Sequence, residues 1–217
     1  MKYERGTTLP LSVPRQVVCD LLHFAKAVPT VPVQRVVDVG RLAALRARLP
    51  QRVGWCAVFT KAFALVGQEV PALRRAYLEY PRPRLYEHPV GVASVAVERD
   101  YEGEPGVFFT RIRRPDGLTL PAVEAALRSA RERPVEDAFA RIIRGYRLPR
   151  VVRRAFLWYF LNVCGSRKAQ SLGTFGVSTY SARGAESLHP LSPLTTTLNY
   201  GVVAPDGTVP VLSLIHI

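Results

Sequence analysis

Residues 172–201 read LGTFGVSTYSARGAESLHPLSPLTTTLNYG, and the arrangement of the whole chain turns on this stretch. It opens with a β-prone run, Thr174 to Tyr180, and closes with another, Leu194 to Tyr200, while Gly, Ser and Pro fill the connection. The pattern predicts a strand, a long shaped loop and a returning strand. Small and hydroxylated side chains let a backbone approach a ligand closely, and Ser or Thr hydroxyls can donate hydrogen bonds into a pocket. On these residues alone, a plain polar hairpin connection is the alternative.

The run Gly173-Thr174-Phe175-Gly176-Val177-Ser178, followed by Leu188-His189-Pro190 and then Gly201, resembles the catalytic domain of the acyltransferases of 2-oxo acid dehydrogenase complexes. That family reads GTFTISNLG and then FTPIINPPQVAILGVG. The spacing from Pro190 to Gly201 equals that from the Pro of FTP to the first Gly of GVG. Two departures stand out: Thr179-Tyr180-Ser181 replaces Asn-Leu-Gly, and Ser192-Pro193-Leu194-Thr195 replaces Ile-Asn-Pro-Pro. Shorter likenesses occur in the family's order. Leu9-Pro10-Leu11-Ser12 with Arg15 is similar to iPLSgiR, VDVGRLAALRARL (37–49) to evDvtaLlalRkeL, Lys61-Ala62 with Val70-Pro71 to KA and evP, and Pro89 to Glu98 to the iGvAV strand.

The resemblance implies an α/β fold of two layers, a mixed β-sheet covered by helices, of the chloramphenicol acetyltransferase-like, coenzyme A-dependent type. It further implies a homotrimer whose active sites lie between subunits, the catalytic His from one and a Ser from the next. Ser178 takes the place of the oxyanion-stabilising Ser. Arg15 takes the place of an Arg that makes a structural salt bridge with an Asp near the catalytic His. Coenzyme A thioester would be a substrate, with a thiol, amine or hydroxyl as acceptor, no tightly bound cofactor and no metal.

In the family the general base is the His of an HxxxDG motif, and this chain has none. His23 falls in the first predicted helix, His88 before a strand, and His189 in the loop where the family has Thr. Each reads as structural or exposed rather than as the base. Gly207 to Val211 starts a terminal strand, and the last six residues, Leu212-Ser213-Leu214-Ile215-His216-Ile217, translate CTG TCT CTT ATA CAC ATC, a transposon-end sequencing adapter. The expectation is therefore one acyltransferase-like domain over 1–211, incomplete at its C-terminus, with 212–217 as an adapter artefact. In the rival reading, His216 is the base on a degenerate terminal strand.

A chain of 217 residues with 48% hydrophobic content fits one domain with a substantial core. The net charge of +13 points toward anionic partners, but Arg is scattered along the whole chain, which gives no nucleic-acid signature. Its densest cluster, Arg141 to Arg154, reads first as a solvated face and second as a surface for phosphates, anionic membrane or acidic protein. Cys19, Cys56 and Cys164 lie far apart in apolar runs, as reduced structural thiols of a cytoplasmic protein do. The longest apolar run, Ala155 to Cys164, is about half of a membrane-spanning helix. Two other classes stay open: an acyltransferase-like scaffold without catalysis, and a basic nucleic-acid or membrane-surface binder.

Periodicity predicts a helix from Pro14, a strand over 31–39, helices over 40–49 and 53–70, and strands over 89–98 and 106–113. It also predicts helices over 120–131, 135–144 and 149–163. Between the two middle strands the spacer Arg99 to Pro105 is longer than the family's, and Thr110 falls where a Pro of the substrate channel is expected.

Overall fold

The structure, a computed structural model, describes residues 6–179 and 190–216. Its helices are Val13–Ala25 (α1), Gly40–Ala47 (α2), Trp55–Glu69 (α3), Leu120–Glu132 (α4), Val135–Ala138 (α5), Ala140–Tyr146 (α6), Arg150–Asn162 (α7) and Gly165–Leu172 (α8). Its strands are Thr30–Asp38 (β1), Arg75–Leu78 (β2), Arg84–Glu87 (β3), Val92–Tyr101 (β4), Glu104–Arg113 (β5), Phe175–Thr179 (β6), Thr196–Tyr200 (β7) and Thr208–His216 (β8). Six strands form one mixed sheet in the order β1-β8-β7-β6-β4-β5, and β2 and β3 form a separate two-stranded ribbon.

Alternation along the strands sorts the sheet into two faces. One carries Ala93, Val95, Ile112, Phe175, Val177 and Val209, and meets Val53, Ala57, Val58 and Ala64 around α3 and Val123 and Leu127 of α4. Near the β4–β5 turn a second cluster forms, with Phe108 stacked on Phe139 at 4.6 Å between ring centroids. The two core helices are tied at their ends. The Glu124 carboxylate of α4 is buried and accepts from the Gly54 amide at 2.8 Å, which places a negative group on the α3 N-terminus. Thr119 caps α4 by accepting from the Ala122 amide at 3.3 Å.

The expected returning strand is a correction. β6 and β7 are adjacent but parallel, Phe175 opposite Thr196 and Thr179 opposite Tyr200. Sixteen residues separate the two strands, enough to carry the chain back along the length of β6 before β7 begins, as a parallel pair demands. The spacer between the two middle strands is also mostly strand: β4 runs to Tyr101, and only Glu102 and Gly103, at φ 54° and 80°, make the turn. The helix expected over 135–144 breaks at Phe139, whose φ of −121° lets its ring enter the core beside Phe108.

Side-chain partners settle two further expectations. Of the Arg cluster, Arg141, Arg144, Arg147 and Arg150 are exposed as expected of a solvated face, whereas Arg153 and Arg154 converge on Asp20 of α1, at 3.2 and 2.9 Å, and Asp20 is 1% exposed. Arg153 also donates to the Leu148 carbonyl and lies over the Tyr146 ring at 4.5 Å. Cys19, expected in a buried run, is exposed. Among the described residues, no helix is long and apolar enough to cross a membrane.

Candidate active site around Ser178

β6 is anchored by the first residues of its motif. Gly173 has φ 96°, and a Cβ there would lie 3.0 Å from both the Ser94 Cβ and the Val92 carbonyl oxygen, so glycine is required twice over. The Thr174 amide donates to the Val92 carbonyl, and its buried hydroxyl accepts from the Val92 amide at 2.8 Å. This clamp sets the register of β6 on β4: Phe175 opposite Ala93, Gly176 opposite Ser94, Val177 opposite Val95. Thr179 closes the other end by donating to the Tyr200 carbonyl at 3.0 Å.

Because Phe175 and Val177 point into the core, Ser178 projects from the opposite face of the sheet and is half-buried. No hydrogen bond joins its hydroxyl to another described residue. Its neighbour in register is Asn199 of β7, which in turn faces Leu212 of β8. Asn199 is 3% exposed, and among the described residues neither its Oδ1 nor its Nδ2 has a partner; Thr197, two residues earlier on the same face, is likewise buried with an unpartnered hydroxyl. On this face too, Arg111 of β5 donates to the Gln170 and Ser171 carbonyls at 2.8 Å, which ties the end of α8 to the sheet.

Beneath Ser178, on the core side, Tyr200 stacks on Phe59 at 4.4 Å. Burial pushes the Tyr200 hydroxyl and the neighbouring Cys56 thiol above their ordinary values, so neither supplies an anion to the site. Along the edge of β5, Phe109, Thr110, Arg111, Ala138, Phe139, Arg141 and Ile142 line a cavity of about 180 Å³. Its two guanidiniums crowd one another: Arg111 is lowered by burial and then by Arg141.

Among the described residues, the other sequence-nominated positions do not meet Ser178 within one chain. Arg15 opens α1 and pairs with Glu104 of β5 at 3.1 Å on an exposed surface, where such a pair adds little. His216 ends β8 opposite Thr30 of β1, four residues beyond Leu212, or about 13 Å along the strand from the row that holds Ser178. Leu212 to Ile215 extend β8 between β1 and β7, since alternating LSLI suits a strand whatever its coding origin. His189 lies outside the described residues. His23 sits on the exposed side of α1 against Phe24. His88 is buried beside Tyr86, and burial followed by Lys168 and Arg74 pushes it down to about 4.

No family model and no curated protein matches this sequence. Solved structures do. The dihydrolipoamide acetyltransferase of Azotobacter vinelandii, in which a serine, a histidine and an asparagine were investigated for their role in the catalytic mechanism, superposes at a TM-score of 0.69. It shares 17% identity, over 99% of this chain and 84% of that one. A truncated catalytic core of the 2-oxoacid dehydrogenase complex from Thermoplasma acidophilum gives 0.67 at 18% identity, over 97% and 88%. A protein described as a probable dihydrolipoamide acetyltransferase of Listeria monocytogenes gives 0.65 at 15%, over 97% and 86%. The chain has the α/β fold of these acyltransferase cores, and the likeness first read from its GTF motif extends through the whole described structure.

Proposed function

We propose that this domain binds a coenzyme A thioester and belongs to an enzyme that moves its acyl group to a thiol, amine or hydroxyl acceptor. The observation that carries this reading is Ser178: a hydroxyl with no partner among the described residues, fixed by the Gly173-Thr174 clamp on the sheet face away from the core, in the fold of dihydrolipoamide acetyltransferases. As the acceptor attacks the thioester carbonyl, the π electron pair moves onto oxygen, and the Ser178 Oγ–H donates a hydrogen bond to that oxyanion. Collapse of the tetrahedral intermediate returns the pair and expels the coenzyme A thiolate, which takes up the proton that the acceptor loses and leaves as the free thiol. Arg15 takes no part in the chemistry, and its exposed pair with Glu104 adds little to stability. Coenzyme A is a substrate in this reading, with no tightly held cofactor or metal.

The acting unit is a homotrimer in the cytoplasm. Beyond its first residue β1 is exposed along both faces, with Val33 and Val36 more than half open, and α2 beside it buries no residue. A second copy of the chain would cover them. In this reading the domain's own sequence is 1–211 and 212–217 come from the sequencing adapter, although Leu212 to Ile215 pair within β8.

The test is titration and turnover. Acetyl-coenzyme A should bind saturably, and transfer to a panel of thiols and amines should be slow, because loss of a positioned base costs a factor of about 100 to 10,000. Absence of saturable binding would sink the proposal. Turnover at ordinary enzymatic rates that vanishes in His189→Ala would show that the base lies in the loop.

A further inference from the structure

The parallel register of β6 and β7 sets Asn199 directly beside Ser178, with both side chains on the same sheet face and strands about 4.8 Å apart. A primary amide buried to 3% exposure with neither its donors nor its acceptor engaged is a net penalty to folding. Leu would fill nearly the same space without it. The spacing that aligns Pro190 and Gly201 with FTP and GVG puts Asn199 where the VAIL run has Ile, and Thr197 where it has Val. Two unengaged donors of different chemistry, a hydroxyl and an amide, thus stand next to one another on the sheet face away from α3 and α4, beside the buried Leu212 and Leu214 of β8.

We propose that Asn199 is a substrate-binding residue of the acyl site. Its Nδ2–H donates to the same acyl oxygen as the Ser178 Oγ–H, giving the thioester carbonyl two donors in place of one. Thr197 lies behind it along β7 as a second buried, unpartnered group, with Leu212 and Leu214 of β8 as the apolar neighbours. No proton moves in this step: both donors keep their hydrogens while the carbonyl oxygen takes the electron pair. The inference rests on the acyl-transfer reading and adds a recognition element to it, one that selects ligands carrying a carbonyl at this point.

The probe is a pair of ligands differing in that one oxygen: acetyl-coenzyme A and S-ethyl-coenzyme A, which has a methylene where the carbonyl stands. Calorimetric titration of the full chain should show acetyl-coenzyme A bound about tenfold more tightly, the sum of two modest hydrogen bonds. In Asn199→Leu the ratio should fall to about threefold or less, with affinity for S-ethyl-coenzyme A unchanged and the melting temperature raised. Asn199→Val, a residue suited to a strand, provides the same comparison if the Leu variant folds poorly. A variant with a lowered melting temperature and an unmoved ratio would assign Asn199 to structure and overturn the proposal. Equal wild-type affinities for the two ligands would overturn it while leaving coenzyme A binding intact. Wild-type protein that binds neither ligand would remove the acyl-transfer reading and Asn199's role together.

Discussion

His88 makes stability depend on pH in a way that can be worked from its surroundings. It is 1% exposed just ahead of β4, neither ring nitrogen has a partner among the described residues, and Lys168 and Arg74 add positive charge nearby. Burial first, and those cations second, push its pKa from 6.5 to about 4. The folded chain therefore keeps His88 neutral where the unfolded chain has begun to bind a proton. Stability is intact above the unfolded value and is lost as pH falls from about 6.5 to about 4, with a slope approaching 1.4 kcal/mol per pH unit. The loss through that window is about 3 kcal/mol. In His88→Leu the term disappears, and subtracting the variant's stability from the wild type's cancels titrations common to both. Urea unfolding near pH 7.5, 6 and 4.5 should show the variant gaining on the wild type as pH falls. Lys168, lowered to about 8 by burial, titrates in a separate window and favours the folded state as pH rises above that value. A difference that stays constant with pH within about 0.5 kcal/mol would refute the account of His88 as a neutral, unpartnered core residue.

Two structural predictions accompany it. Asp20→Ala removes the carboxylate on which Arg153 and Arg154 converge and should cost about 3 to 5 kcal/mol, read as a lower urea midpoint; adding Arg153→Met and Arg154→Leu should recover part of that loss. Gly173→Ala forces a Cβ to 3.0 Å from the Ser94 Cβ and the Val92 carbonyl at a φ of 96°, and should cost about 2 kcal/mol or more. An unchanged melting temperature in Gly173→Ala would mean that the β6 clamp yields without strain.

How much the sequence disclosed depends on the range of the forces involved. Long amphipathic helices such as α4 and the alternating strands β4 and β5 announce themselves locally, because the residues that define the period also bury the face. The GTF motif was legible as well, and the structure supplies its reason in Gly173 and Thr174. The β2–β3 ribbon escaped because its strands are four residues each and mostly exposed, so no run of apolar positions marks them. α8, GSRKAQSL, is mostly polar and is held by the Arg111 guanidinium on its last carbonyls rather than by a pattern of its own. The relation of β6 to β7 could not be decided locally, since a long connection permits either sense of pairing. Asp20, 133 residues from Arg153, looked like any polar position of an amphipathic helix. Asn199 did leave a signal, an Asn inside a β-prone run otherwise made of Thr, Leu and Tyr, but only the register with Ser178 gives it meaning.

The open faces of β1 bear on how this molecule's thermodynamics depends on dilution. The strand is attached through its backbone ladder to β8, nine residues in register, while its valines stay 37 to 61% exposed. Ordering a residue's backbone costs about 1 to 2 kcal/mol, and a ladder alone repays that poorly. In the proposed homotrimer its amides should exchange with solvent first when the chains are apart and become protected on association. The midpoint of unfolding is then a property of the solution as much as of the chain, rising with protein concentration by mass action.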